Sequence, residues 1–325
     1  MDVYTRCSNY ATDTCPCILA ESGKCIVCSM CRGEEYCTCS DTVSYCIQQE
    51  LINNGGKAKQ QHHSMRCKVR YVKEYDDVFR FIRIAVPNAD DFKKLGAYVF
   101  VRVNENPFFD VPISVLYDDS SRGTIGLIIQ MVGVKTESFR SVREGDFVYV
   151  RGPYYNGMQG RRAVSHLHNS RAAVVCRVIG VIPSLHVIRA LWQNHNTVDV
   201  FLDWGKFSKR VLDYYKELQE IHVNEVIISN QNGELTEDFY RIAAMAGDGE
   251  VGLVHLGLSD YLIKKAIGVI EQIDPQHRTA ISCINNSHIC CGEGICGACT
   301  KDAGADHTVR LCKEQLDFHE YKMLL

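Results

Sequence analysis

The chain lacks any strong charge bias: 36 lysines and arginines face 39 aspartates and glutamates, for a formal net charge of −3, and no basic run stands out. That balance argues against a nucleic-acid binder, whose electrostatic footprint is a basic patch or stripe. It also lacks an apolar run of 18 residues, so no membrane-spanning helix is expected. The first 30 residues carry cysteines and charges where a signal peptide would carry its apolar stretch. A cytoplasmic location is therefore expected. Side-chain catalytic machinery is missing too. No nucleophile–base or acid–base constellation stands out, and Asp118-Asp119 and His166-x-His168 read as surface-turn and edge residues.

Cysteine, in contrast, is abundant: 17 in 325 residues, ten within residues 7 to 67 and six within 283 to 312, with Cys176 alone between. An odd count with no export signal argues against a disulfide framework and for metal. Exposed thiolates and iron–sulfur centres suffer oxidation, so a reducing, anaerobic setting is expected. Near the C-terminus runs Cys291-Gly292-Glu293-Gly294-Ile295-Cys296-Gly297-Ala298-Cys299, then 12 residues, then Cys312. This C-x4-C-x2-C…C spacing is the plant-type [2Fe–2S] pattern, with three thiolates on one loop and a fourth from a later segment. A zinc site is the alternative, although zinc ribbons use two CxxC pairs and only 296/299 forms one here. Cys290 could replace Cys291 as first ligand; Cys291 preserves the x4 spacing.

The N-terminal block opens a second pattern. Cys25-x2-Cys28-x2-Cys31 begins a bacterial [4Fe–4S] run, and Cys37 is the expected fourth ligand. Cys15-Pro16-Cys17 and Cys39 offer further donors, so one cluster with spares or two clusters are both open, as is a zinc knuckle. Residues 1 to 64 contain few large aliphatics, so metal is expected to supply most of this module's folding free energy, and loss of metal to unfold it alone. The polar stretch 53–63, including His62-His63, reads as a solvated linker.

From 65 to 169 the chain shows short β-rich runs separated by turn residues: 67–72, 78–86, 98–103, 125–132 and 147–150. Five or six strands in about 100 residues predict a small antiparallel barrel. From 170 to 282 strands (172–178, 198–202, 225–229, 251–256) alternate with helices (185–194, 206–221, 236–246, 260–273), which predicts a doubly wound parallel sheet. A last strand at 279–284 leads into a cysteine lobe at 283–325.

A barrel, an α/β domain and a cysteine loop ending Arg310-Leu311-Cys312-Lys313, followed by Phe318, resembles the electron-transfer subunit of dihydroorotate dehydrogenase. That family lies in the ferredoxin–NADP reductase superfamily, which also supplies the small subunit of bifurcating NADH-dependent ferredoxin:NADP oxidoreductases. The resemblance covers residues 66 to 325 and says nothing of the N-terminal block. It implies FAD in the barrel, NAD(P)H in the α/β domain, and a [2Fe–2S] cluster serving a partner oxidoreductase subunit. Pro112-Ile113-Ser114-Val115 is similar to the family's flavin segment, Gly133-Val134-Lys135-Thr136 to its phosphate loop, and Gly152-Pro153 with Asn156-Gly157 to its later flavin turn. Val111 stands where an arginine is usual, and Val134 replaces a glycine.

The nucleotide motifs have departed further. The glycine-rich turn aligns with Cys176-Arg177-Val178-Ile179-Gly180-Val181-Ile182-Pro183, and Val254-His255-Leu256-Gly257-Leu258 replaces the Cys-Gly-Pro segment beside the nicotinamide. Binding of NAD(P)H is therefore doubtful, unless Arg177 grips a phosphate. The expected function is an iron–sulfur flavoprotein subunit relaying electrons between [4Fe–4S], FAD, [2Fe–2S] and a partner. A self-sufficient NAD(P)H reductase and a cluster-carrying assembly subunit are the alternatives.

Overall fold

The computed structural model describes residues 6–39, 44–75, 77–116, 123–205, 223–304 and 308–325. The helix expected at 206–221 and the pair Asp118-Asp119 lie outside the described residues.

Six strands, β1 (Met65–Tyr75), β2 (Phe79–Ala85), β3 (Tyr98–Arg102), β4 (Val111–Leu116), β5 (Thr124–Gln130) and β6 (Phe147–Tyr154), close into an antiparallel barrel in the order β1-β2-β5-β4-β3-β6. Alternate residues fill it: Val99 and Val101, Ile125, Leu127 and Ile129, Val148 and Val150 point inward, as the two-residue period of a strand requires. β4 is the strand that the β-rich runs of the sequence do not mark, because Pro112 interrupts its pattern. The proline costs no ladder bond to β5, since β4 pairs with β5 only at Val115 and Leu116.

The second sheet contains β7 (Met158–Gln159), β8 (Arg171–Arg177), β9 (Thr197–Asp203), β10 (Val223–Glu225), β11 (Leu253–Gly257) and β12 (Ala280–Ile284), ordered β10-β9-β8-β11-β12-β7. All its pairings are parallel except that of β7 with β12. β8 shows why the run Ala172–Cys176 is apolar throughout. Ala173 and Val175 pack toward the helices Glu237–Gly247 and Asp260–Ile273, while Ala172, Val174 and Cys176 pack toward the helix Val181–Gln193. The fourth strand ends earlier than its sequence suggests. Beyond Glu225 the backbone turns to side-chain partners, and the Ile228 amide donates to Asp203 Oδ2 (3.0 Å). The order reverses between β8 and β11, so the crevice at their carboxyl ends is where a fold of this kind holds ligands.

After β12 the chain forms a lobe with a small hairpin, β13 (Thr300–Asp302) and β14 (Thr308–Arg310), and the terminal helix Phe318–Leu324. The N-terminal module, built on the short helices Ile18–Glu21 and Ile47–Asn53 with a core of its own, docks on this lobe. The Ser8 amide donates to Lys313 O (2.8 Å), the Gln315 amide to Arg6 O (2.6 Å), and Arg6 pairs with Glu314 (3.2 Å). This corrects the solvated-linker reading. His63 is exposed, but His62 is packed on the Tyr154 ring (4.2 Å between centroids) with Nδ1 2.8 Å from Glu293 Oε1. A polar stretch reads as linker only until its partner is known, and that partner lies 231 residues away.

No described helix is long and apolar enough to cross a membrane. Cys67, Cys176 and Cys283 are each buried in an apolar core, where cysteine behaves as a small hydrophobe; burial pushes the Cys67 thiol up to about 11.

Candidate cofactor sites

The C-terminal loop brings Cys291, Cys296, Cys299 and Cys312 together through a chain of thiol contacts, Cys296 to Cys291, Cys291 to Cys312, and Cys312 to Cys299. Among the described residues no three His, Cys, Asp or Glu side chains converge on a point that would hold a single ion. The hydrogen bond with Cys312 holds the Cys291 thiol well below its usual range against burial, helped by the amides of Cys296, Ile295 and Glu293. The same contact raises the Cys312 thiol, so the two sulfurs share a proton and one of the pair is held as thiolate, the form that ligates metal. Further amides approach the sulfurs, with Glu293 N 3.3 Å from Cys291 Sγ and Cys312 N 3.4 Å from Cys299 Sγ. Cys290, next door, is exposed. The turn depends on Gly292 at φ +73°, where a Cβ would sit 2.7 Å from the Tyr154 ring.

Around the loop lies a buried charge network that the sequence pattern does not reveal. Glu293 accepts from Tyr154 Oη (2.9 Å), pairs with Lys313 Nζ (3.2 Å) and meets His62. Burial alone would raise its carboxyl; His62, Lys313 and Tyr154 outweigh it and hold the pKa at about 2. Arg151 donates to Cys291 O (2.8 Å) and to Asp110 Oδ2 (2.9 Å), and Asp110 in turn holds Arg102 (2.7 Å). The loop is thus clamped to β6 of the barrel. Tyr98 Oη is buried with no hydrogen-bond partner among the described residues, and Cys312 and Cys299 lie close enough to act on it electrostatically. An orphaned buried donor beside two thiols fits a site that has sulfur to accept the bond. The only sequence signals for these residues are adjacency: Glu293 inside the motif and Lys313 after its last cysteine.

The barrel residues singled out by sequence fall on one patch. Pro112, Ile113, Ser114 and Val115 form β4, and Ser114 pairs in register with Tyr98 of β3. Gly152 lies across β3 from it, where a Cβ would be 3.3 Å from Tyr98 O. Lys135 Nζ donates to Asp110 O (3.1 Å), which draws the 133–136 turn to the start of β4. Thr136 Oγ1 accepts from the Val132 and Gly133 amides (both 3.1 Å). Asn156 is drawn elsewhere: fully buried, it donates to Leu311 O (2.7 Å) and Glu314 O (2.9 Å) and so secures the C-terminal lobe.

At the crevice between β8 and β11, a cavity of about 330 Å3 is lined by Arg177, Val178, Gly180, Ser259, Asp260 and Asn286 among others. Val178 takes φ +51°, a left-handed conformation strained for a β-branched residue. Gly180 abuts the end of β11 so closely that a Cβ would lie 2.0 Å from Gly257 O. Arg177 Nε pairs with Asp203 Oδ2 (3.0 Å), and Asp203 also accepts from the amides of Gly205 (2.9 Å) and Ile228. Behind the crevice His255 is fully buried between Ser184 Oγ (3.0 Å) and Ser282 Oγ (2.9 Å). Burial lowers its pKa from 6.5 to about 3, so it stays neutral in the folded chain. The unfolded chain takes up the proton first. Stability is therefore expected to be flat above pH 6.5 and to fall below it by about 1.4 kcal/mol per pH unit toward the folded pKa. Denaturant unfolding at pH 7 and pH 5, compared with a His255→Asn variant in which this slope is absent, checks it; equal slopes would contradict it.

In the N-terminal module Cys15, Cys17, Cys25, Cys28 and Cys31 are buried, Cys39 is half-buried and Cys37 is exposed. Cys28 donates its amide to Cys25 Sγ (3.4 Å), and the thiols of Cys28 and Cys31 are in contact.

No family model matches the chain. The electron transfer subunit of dihydroorotate dehydrogenase B from Clostridium acetobutylicum is 26% identical over 64% of this chain and 76% of its own length. The probable counterpart from Pyrococcus furiosus is 25% identical over 53% of this chain and 63% of its own length, so the match spans less than two thirds of that relative. Sulfhydrogenase 2 subunit gamma from Pyrococcus furiosus is 26% identical over 57% of this chain and 60% of its own length. Among solved structures, the NADH-dependent reduced ferredoxin–NADP oxidoreductase superposes with a TM-score of 0.57 at 16% identity, over 78% of this chain and 88% of the other. That likeness carries the fold, a six-stranded antiparallel barrel followed by an α/β domain of ferredoxin-reductase type.

Proposed function

We propose that this chain, whose sequence relatives are electron-transfer subunits of multisubunit oxidoreductases, is itself an iron–sulfur flavoprotein subunit that relays electrons to or from a partner oxidoreductase. The observation that carries the reading is the C-terminal loop. Four cysteines at the plant-type spacing are drawn together there, with amides approaching two of the sulfurs and the orphaned Tyr98 hydroxyl beside them. Cys291, Cys296, Cys299 and Cys312 would hold a [2Fe–2S] cluster in the lobe of residues 283–325. A flavin exchanges one or two electrons and each iron–sulfur cluster one, which makes FAD the natural junction.

The protein's own part is placement. Pro112 and Ser114, on the outer face of β4, would meet the flavin ring, Ser114 offering a hydroxyl, while Ile113 and Val115 pack into the barrel core and hold that strand in place. Gly133, Lys135 and Thr136 would meet the phosphates and Gly152 would leave room beside β3. This assigns residues 65–169 to FAD and leaves 170–282 as a nucleotide-type domain without its usual ligand. Residues 1–64 would carry at least one [4Fe–4S] cluster, with Cys25, Cys28, Cys31 and Cys37 the set that spacing suggests. Arg151, through Cys291 O and Asp110, would fix the [2Fe–2S] loop against the barrel.

The test is paramagnetic resonance with iron and acid-labile sulfide analysis on a Cys299→Ser variant purified without oxygen. Loss or marked change of the [2Fe–2S] signal is expected; an unchanged signal refutes the ligand set.

A further inference from the structure

The run Cys25-x2-Cys28-x2-Cys31 does not stay on one side of the N-terminal module. One hollow is lined by Cys7, Cys15, Cys17 and Cys25. A second is lined by Cys28, Cys37, Cys39 and Cys46. Tyr10, Val27 and Ile47 line both, and so form the wall between them. Val27 lies between Cys25 and Cys28 in sequence, which turns those two thiols toward opposite hollows. Cys7 lies within electrostatic reach of Cys17 and Cys15, and Cys15 of Cys17 and Cys25. Cys31 touches Cys28 and lies within reach of both Cys25 and Cys46, so the two groups adjoin and it is the lining of the hollows that divides them.

We propose that Cys7, Cys15, Cys17 and Cys25 form a separate inner [4Fe–4S] site, and that Cys28 belongs to a second, outer site drawn from Cys28, Cys31, Cys37, Cys39 and Cys46. The proposal rests on the iron–sulfur reading of the module and divides the ligand set that sequence spacing suggests. Four thiols around one apolar hollow supply the one thiolate per iron that a cubane needs. The hollow itself measures about 10 Å3, so loading requires the thiols to swing outward about χ1.

Position gives the inner site its meaning. Cys7 pairs as an isolated bridge with Glu314, and Lys313, fully buried, acts electrostatically on Cys17, Cys7 and Glu293 at once. Lys313 follows Cys312 in the chain, so the inner site adjoins the C-terminal thiol loop while the outer site lies beyond the Tyr10–Val27–Ile47 wall. The three thiol sites then stand in series.

The experiment uses the full chain purified anaerobically, with iron, sulfide and zinc analysis and paramagnetic resonance of the dithionite-reduced protein. About ten irons per chain are expected, from two [4Fe–4S] and one [2Fe–2S]. Cys17→Ser and Cys25→Ser should abolish or alter the same signal, and Cys28→Ser a different one, with the [2Fe–2S] signal retained in all three as the check on folding. If Cys25→Ser and Cys28→Ser remove one common signal and Cys17→Ser removes none, the division into two sites is wrong while the iron–sulfur reading stands. A wild-type content of about six irons overturns it equally, and needs no variant to fold. Zinc without sulfide in the N-terminal module would instead overturn the reading on which the proposal rests.

Discussion

Replacing Lys313 by methionine should lower the unfolding free energy by about 3–5 kcal/mol, the cost of stripping one partner from a buried ion pair. The Lys313 side chain has no exposed surface and its ammonium lies 3.2 Å from Glu293 Oε2. Methionine keeps the length and most of the packing but leaves a carboxylate, itself 7% exposed, with His62 and Tyr154 as hydrogen-bond partners and Arg151 within electrostatic reach. The same substitution loosens the seat of the N-terminal module, since Lys313 faces Cys7 and Cys17 across that interface. Urea unfolding of wild-type and variant protein prepared under identical anaerobic conditions measures the difference. A double variant, Lys313→Met with Glu293→Gln, should recover much of the loss, because the remaining amide carries no charge that needs a partner. A loss below about 1 kcal/mol for the single variant, the size expected of an exposed pair, would show that the network does not hold the lobe, module and barrel together.

The barrel and the parallel sheet were legible because their residues obey a period. Ile125, Leu127 and Ile129 alternate, and Ala172–Cys176 is apolar on both faces, so strand character can be read without knowing the partners. β4 was hidden by Pro112, and the end of β10 by Asp203, which captures the Ile228 amide from another strand. The thiol loop was legible because ligand chemistry fixes spacing. The network around it was not, because His62, Arg151, Glu293 and Lys313 meet only in three dimensions and carry no local pattern. The N-terminal module shows the limit most clearly. Counting residues from Cys25 to Cys28 suggests one cluster, but whether two cysteines share a site depends on which side of Val27 and Ile47 each thiol falls. The module's docking on Lys313, Glu314 and Gln315 likewise contradicts a free-standing unit behind a linker. Removing residues 1–64 would uncover a buried lysine and a buried carboxylate.

The second large effect is an absence of response to nicotinamide nucleotides. In a dinucleotide site the turn after the first strand lets backbone approach the pyrophosphate, and an acidic residue at the end of the second strand takes the ribose hydroxyl. Here Val178 occupies that turn at φ +51° with its side chain directed at Gly205, where an added Cβ would be 2.8 Å from Val178 Cγ2. Asp203, at the end of β9, spends both oxygens on Arg177 and on the amides of Gly205 and Ile228. The same ion pair ties Arg177 Nε to Asp203 and offsets the charge that Arg177 would bring to a phosphate. Affinity for NADH or NADPH should therefore be no tighter than about 1 mM, or about −4 kcal/mol.

Following the visible spectrum of the anaerobically purified full chain during titration tests the relay directly. Flavin and iron–sulfur absorbance should both be present, bleach on adding dithionite, and remain unchanged on adding NADH or NADPH. Bleaching by either nucleotide at micromolar concentration, or a preparation with no flavin at all, would contradict it.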